Sequence, residues 1–182
     1  TFPMDTHAPM AIRGTHGRLA LRWLVTSAMH DLGTEGLGLA EPVTGTVEEG
    51  RITGFEGTPA ASRQARDFLA GIGERFGKDP FRLNSWHAGV NPQTRVAFAA
   101  AQSLEQWMLL AHASPRILHF HAVGETMPGE ISIAVLDPTV TIDGRVWWEA
   151  GQFRLLDDPE FQDIAGRWPG QAPFEPQQDI GV

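Results

Sequence analysis

The sequence predicts an α+β domain, a mostly antiparallel or mixed β-sheet with about two packed helices. Three observations carry that expectation. Residues 18–26 alternate apolar and polar side chains, two segments starting at Thr58 and Ser103 place apolar residues at helical spacing, and residues 116–156 are β-rich runs broken by short turns.

Along the chain, Leu19, Leu21, Trp23 and Val25 share one face of a half-buried strand whose other face carries Arg18 and Arg22. Residues 31–42, rich in Gly and Leu and ending at Pro42, read as a loop. Residues 44–48 and 51–56 then flank Glu49-Gly50, which predicts a β-hairpin. Thr58-Pro59 has the form of an N-cap followed by proline in the first turn, and Ala65, Phe68, Leu69, Ile72 and Phe76 recur on one face. Gly71 and Gly73 weaken the last turns of that helix, and Gly77 ends it. The second helix spans 103–112, with Leu104, Trp107, Met108 and Ala111 as its stripe. Strands follow at 116–123, 130–136 and 139–142, then an Asp143-Gly144 turn, then 145–149 and 152–156. Residues 1–156 form one globular domain in this reading. Residues 157–182, rich in Pro, Gln and acidic side chains around Phe161, Trp168 and Phe174, form an irregular tail.

Composition narrows the function. The 182 residues include 14 basic and 22 acidic side chains, for a net charge of −8. Lys78 is the sole lysine, so no basic stripe exists for a phosphate backbone and nucleic acid is not expected as a partner. No run approaches the length of a membrane span, and the start lacks the basic-then-apolar layout of a signal peptide. A soluble, cytoplasmic protein is expected. The chain opens at Thr1, as a processed chain or part of a longer one would. With no cysteine and seven histidines, a metal would have to sit on His, Asp or Glu.

The densest polar cluster is His119-Phe120-His121, with Glu130 after Met127-Pro128-Gly129. Histidines at i and i+2 of a strand project to one face, so both imidazoles reach one ion, and a carboxylate from the next strand completes a two-His-one-carboxylate set suited to iron or zinc. The plain alternative is a surface or core pair beside a strand-end charge. A second cluster is Asn84-Ser85-Trp86-His87-Ala88-Gly89-Val90-Asn91-Pro92, whose small residues and Gly-x-Asn-Pro turn suit a pocket floor, with Ser85 and Asn91 as polar contacts. A strand running into a turn would read the same way. No zinc-protease, nucleophile-elbow or Walker signature is present, and Gly71–Gly77 closes a helix where a dinucleotide loop would open one. His7, His16, His30 and His112 read as solvated or structural. Trp147 and Trp148, as strand neighbours, should face opposite sides.

Together, residues 84–92, 117–124, 128–133 and 135–144 resemble the metal-bearing C-terminal domain shared by aminopeptidases of the aminopeptidase T type and dihydroxypyridine ring-cleaving dioxygenases. The landmarks are Gly89-Val90-Asn91-Pro92 after a strand, a histidine-bearing strand ending at Gly124, and a strand closing on Thr139–Gly144. Gly14-Thr15, the Glu49-Gly50 hairpin and the helix after Thr58 follow the same order, so the resemblance spans residues 14–156. Leucyl aminopeptidases of this type look closer still, with similar Trp-His-Ala-Gly, His-Phe-His and Pro-Gly-Glu-Ile segments. The departures are specific. This sequence has no counterpart of the family's separate N-terminal domain. The family's Glu or His before the Gly-x-Asn-Pro turn falls on Ser85, and its later His-x-Asp pair falls on Glu130 and Ser132. What survives is a displaced ligand set: His87, His119, His121 and Glu130.

Two functions follow. In one, those four residues hold iron or zinc, and the ion activates water or oxygen against a peptide-like or aromatic substrate. In the other, no metal is held and the cleft binds a peptide or amino-acid-like ligand through Trp86, Trp107, Trp147 and Trp148, as an accessory protein in a peptide natural-product pathway would. A homodimer would cover the surface that a second domain covers in the family. A cupin is a third reading, through His119-x-His121 with Glu125 or Glu130. The two helices, and the lack of any histidine after His121, count against it. The reading adopted is a ligand-binding domain with a remodelled metal site, its catalysis left undecided.

Overall fold

The computed structural model describes residues 10–26, 36–123, 129–167 and 179–182. His7, His30, Glu125, Trp168 and Phe174 lie outside them. Strands β1 (Met10–Ala11), β2 (Gly17–Thr26), β3 (Gly36–Glu48) and β4 (Arg51–Glu56) lead into helix α1 (Pro59–Phe76). Strand β5 (Leu83–Ala88), helix α2 (Leu104–Ala111) and strands β6 (Ile117–Ala122) and β7 (Ile131–Leu136) follow. Strands β8 (Val140–Ile142), β9 (Arg145–Glu149) and β10 (Gln152–Phe153), a 3-10 turn at Arg154–Asp157 and helix α3 (Pro159–Ala165) complete the order.

Seven strands form one sheet in the order β1-β5-β6-β7-β2-β3-β4, and β10-β9-β8 form a second. Every strand pair is antiparallel. The α+β class with an antiparallel sheet is therefore what the chain adopts. The large sheet curls until β4 meets the start of β5, through a bridge between Arg51 and Arg82 and bonds from Ile52 N to the Phe81 carbonyl and from Leu83 N to the Gly50 carbonyl.

The middle strands bury both faces, which explains why they read as nearly continuous apolar runs. Adjacent residues go to different cores. Leu24, Leu118 and Ile133 enter a first core inside the curl, with Leu21, Val43, Ile52 and the Ala65, Leu69 and Ile72 face of α1. Val25, Ile117 and Ala134 enter a second core on the other face, beneath Trp107, Met108 and Ala111 of α2 and closed by Val96 and Ile180.

Helix α1 has the expected ends: the Thr58 hydroxyl accepts from Ala61 N at 3.3 Å, and Gly77 takes the left-handed conformation at φ 62°. Glu49-Gly50 and Asp143-Gly144 both have positive φ at the two central positions, the mark of a type I′ hairpin.

Three expectations need correction, and one strand was not foreseen. Residues 36–42 are strand, not loop, because β2 supplies partners: Trp23 pairs with Gly38, and a bulge absorbs Pro42, which has no N–H to give. Residues 154–157 turn away from strand into 3-10 helix. The tail is not wholly irregular: α3 starts at Asp158-Pro159, the aspartate accepting from Glu160 N at 2.9 Å, which is the same cap-then-proline signal as at Thr58-Pro59. Strand β1 was not foreseen, since two residues carry no periodicity.

Candidate metal centre

The histidines stand on β5 and β6, on the face that α2 covers. In register, His87 pairs with His119 and Ser85 with His121, and on the far side of β6, His121 pairs with Ser132 and His119 with Ala134. Cross-strand neighbours on one face lie within side-chain reach. The rings of His87 and His119 accordingly stack at 4.9 Å with 7° between planes, and His121 lies 4.9 Å from His87 and 5.1 Å from His119. One donor nitrogen from each of the three lies within 4.8 Å of the others, and all three residues are half-buried. That spacing fits one small cation bridged by three imidazoles.

Two polar atoms also lack a partner there. His119 Nδ1 and His121 Nδ1 are buried with no hydrogen-bond partner. Buried imidazole nitrogens are normally bonded, so the arrangement has the chemistry of a ligand set. Burial, and then the charge that His121, His87 and His112 would carry, hold the His119 pKa well below the usual histidine range. The ring is neutral at pH 7, the form that coordinates a metal. The sign of the pH dependence follows. Below about 6.5, the ordinary histidine value, the unfolded chain gains a proton that folded His119 refuses, so stability falls as pH drops through that window. The urea midpoint of metal-free protein should therefore decrease from pH 7.5 to 5.5. The decrease should be smaller in His119→Gln, and equal slopes would refute the assignment.

Glu130 comes to the edge of the cluster and not into it. Its Oε1 lies 2.6 Å from His121 Nδ1, off the line of an aligned hydrogen bond, and accepts from Asn84 Nδ2 at 3.3 Å. His112, at the C-terminal end of α2, was expected to be structural. Its Nδ1 donates to the Leu109 carbonyl at 2.7 Å, and its ring stands 6.1 Å from His119, edge to face. His16 is at the surface, 2.8 Å from Glu49.

The ligand wall expected from tryptophans does not form on this face. Trp86 alternates with His87 and turns into the first core, 7% exposed, 6.5 Å from Phe120 and 6.1 Å from Trp148. Trp148 is 2% exposed and stacks on Phe153 at 4.5 Å, while half-buried Trp147 stacks on Trp148 at 6.5 Å. Trp107 is fully buried and donates to the Ile180 carbonyl at 2.6 Å. Ser85 remains beside His121. Asn91 shapes the turn, its Oδ1 accepting from Gln93 N at 3.0 Å and its N–H bonded to the Ala113 carbonyl at 2.9 Å.

Asn84 opens the second cluster in the sequence, but its contact with Glu130 was not foreseen. Leu83 and Trp86 both enter the first core, and the irregularity between Leu83 and Ser85 is what allows it, leaving Asn84 and Ser85 half-buried between them. Strict alternation would have sent Asn84 the other way.

No family model and no curated protein matches the chain. A solved structure, that of 2,5-dihydroxypyridine dioxygenase from Pseudomonas putida KT2440, superposes on 78% of this chain with a TM-score of 0.51 at 18% identity. The match covers 40% of that chain, so this protein corresponds to less than half its length. The aminopeptidase side of the resemblance has no counterpart among these comparisons. What the likeness shows is the fold: this chain shares a dioxygenase-like fold that carries, on its sheet, a three-histidine group able to take a metal.

Proposed function

We propose that the chain is a metal-dependent domain that binds a small amino-acid-like or aromatic ligand at an ion, iron or zinc, held by His87, His119 and His121. The observation that supports this most is the convergence of three imidazole donors, His119 neutral among them, within 4.8 Å of one another. Such an ion supplies a Lewis-acid centre that polarises a ligand or activates water. The chain's own residues supply the rest. Ser85 and Ser132 flank His121 in register on either side and offer neutral hydroxyls where the resembling family has ligands. Ala134, opposite His119, keeps the floor low. The ligand in this proposal is small, because Trp86, Trp107 and Trp148 are committed to the cores and an extended peptide loses its aromatic wall.

Metal content of the purified protein, measured by inductively coupled plasma mass spectrometry before and after reconstitution with iron(II) and zinc, tests it. One equivalent per chain is expected in the wild type and less than about a tenth in His119→Ala, His121→Ala. A wild type that stays metal-free after reconstitution would overturn the proposal.

A further inference from the structure

We infer that Glu130 is a positioning residue for the metal centre and not one of its ligands: held by Asn84 and by the seat of Gly129 on Phe76, its carboxylate fixes the orientation of His121. This deepens the metal reading and depends on it. Three observations converge. First, the mutually close donor atoms belong to His87, His119 and His121, whereas Glu130 stands at the edge of that group, its Oε1 2.6 Å from His121 Nδ1. A carboxylate held beside Nδ1 favours the tautomer protonated there and leaves the lone pair on Nε2.

Second, the carboxylate is itself held. The side chains of His121 and Glu130 are 15% and 14% exposed, and Glu130 Oε1 accepts from the Asn84 amide while lying 2.6 Å from His121 Nδ1. Turning the amide toward the carboxylate leaves Asn84 Oδ1 buried without a hydrogen-bond partner.

Third, the backbone before Glu130 is seated rigidly. Gly129 has φ 91°, and a Cβ there would stand 2.3 Å from the Phe76 ring. The last turn of α1 therefore fixes where β7 begins, and with it where the carboxylate lies.

Cobalt(II) is the probe, because its visible absorption reports the atoms bound to it. Wild type, Glu130→Ala and Glu130→Gln would be titrated with cobalt(II) at pH 7.5, with far-UV circular dichroism on each to confirm the fold. Glu130→Ala should bind about 10- to 100-fold more weakly, with unchanged stoichiometry and an unchanged spectrum at saturation. Glu130→Gln keeps the shape and an acceptor oxygen, and it should recover affinity to within about fivefold of wild type. Affinity in Glu130→Ala equal to wild type overturns the positioning role while leaving the metal site standing. An altered saturated spectrum in both variants makes Glu130 a ligand and likewise overturns it. Absence of cobalt binding by the wild type removes the metal reading itself.

Discussion

Replacing Trp107 by alanine should lower the melting temperature by about 10 °C or more. Trp107 is fully buried under α2, lies 5.2 Å from the Trp23 ring, and its indole N–H donates to the Ile180 carbonyl. Truncating a buried Trp costs about 3–5 kcal/mol through lost transfer energy and the cavity left behind. The stranded Ile180 carbonyl adds about 1 kcal/mol. At roughly 2–4 °C per kcal/mol for a chain of this size, the sum is a large fraction of total stability. The damage should also spread. Segment 179–182 is tied to this corner by bonds from Val96 N to the Asp179 carbonyl and from Ala100 N to the Gly181 carbonyl, and Gly181 approaches the indole so closely that a Cβ would lie 2.9 Å from it. Thermal unfolding by circular dichroism checks this, and a shift under about 3 °C would mean that the second core does not rest on Trp107.

Gly89→Ala should be the most damaging single-methyl change near the histidines. A Cβ at Gly89 would stand 2.1 Å from the Ser114 carbonyl oxygen and 2.5 Å from the Ala113 carbonyl carbon. Both obstacles are backbone, so a segment must move. That segment joins α2 to β6, and it is bound to the same turn through Gly89 N to the Ile117 carbonyl and Asn91 N to the Ala113 carbonyl. Overpacking of this kind costs about 1–3 kcal/mol. Here it also displaces β5 relative to β6, two residues from His87 on one strand and from His119 on the other. A melting temperature lowered by about 5 °C and cobalt(II) affinity weakened more than about tenfold are expected. Gly71 of α1 is the control, since a Cβ added there would meet nothing within 4 Å. Alanine there should stabilise by about 0.4–1 kcal/mol and leave metal affinity alone. Equal effects at the two glycines would show that the close approach at Gly89 has no bearing on the site.

The legible parts of this molecule were those decided by short stretches of chain. Thr58-Pro59 and Gly77 mark the ends of α1 because capping is a matter of a few backbone groups. The shared face of His119 and His121 follows from the two-residue repeat of a strand, and His87 joins them by the same rule on β5. The parts decided by partners were not legible. Residues 36–42 look like a loop until β2 lies beside them. The tryptophans look like a ligand wall until two cores, on opposite faces of one sheet, claim Trp86 and Trp107 separately. Asn84 reaches Glu130, 46 positions away, only because the strand is irregular at that point. Nothing in residues 83–85 announces that irregularity. Asp158-Pro159 is a different case, since the signal was present but submerged in the polar composition around it.

The placement of the three histidines over two strands has a further consequence for the geometry of the site. Two of the imidazoles sit on β6, paired along its length with β5 on one side and β7 on the other, and their separation is set by the pleat. The third sits on β5, which pairs with β6 on its inner side and, among the described residues, with β1 at Trp86 and Ser85 on its outer side. The spacing between His87 and the β6 pair is therefore set by the pairing of β5 with β6, so the site's reach depends on how two strands lie together and not on one strand's pleat alone.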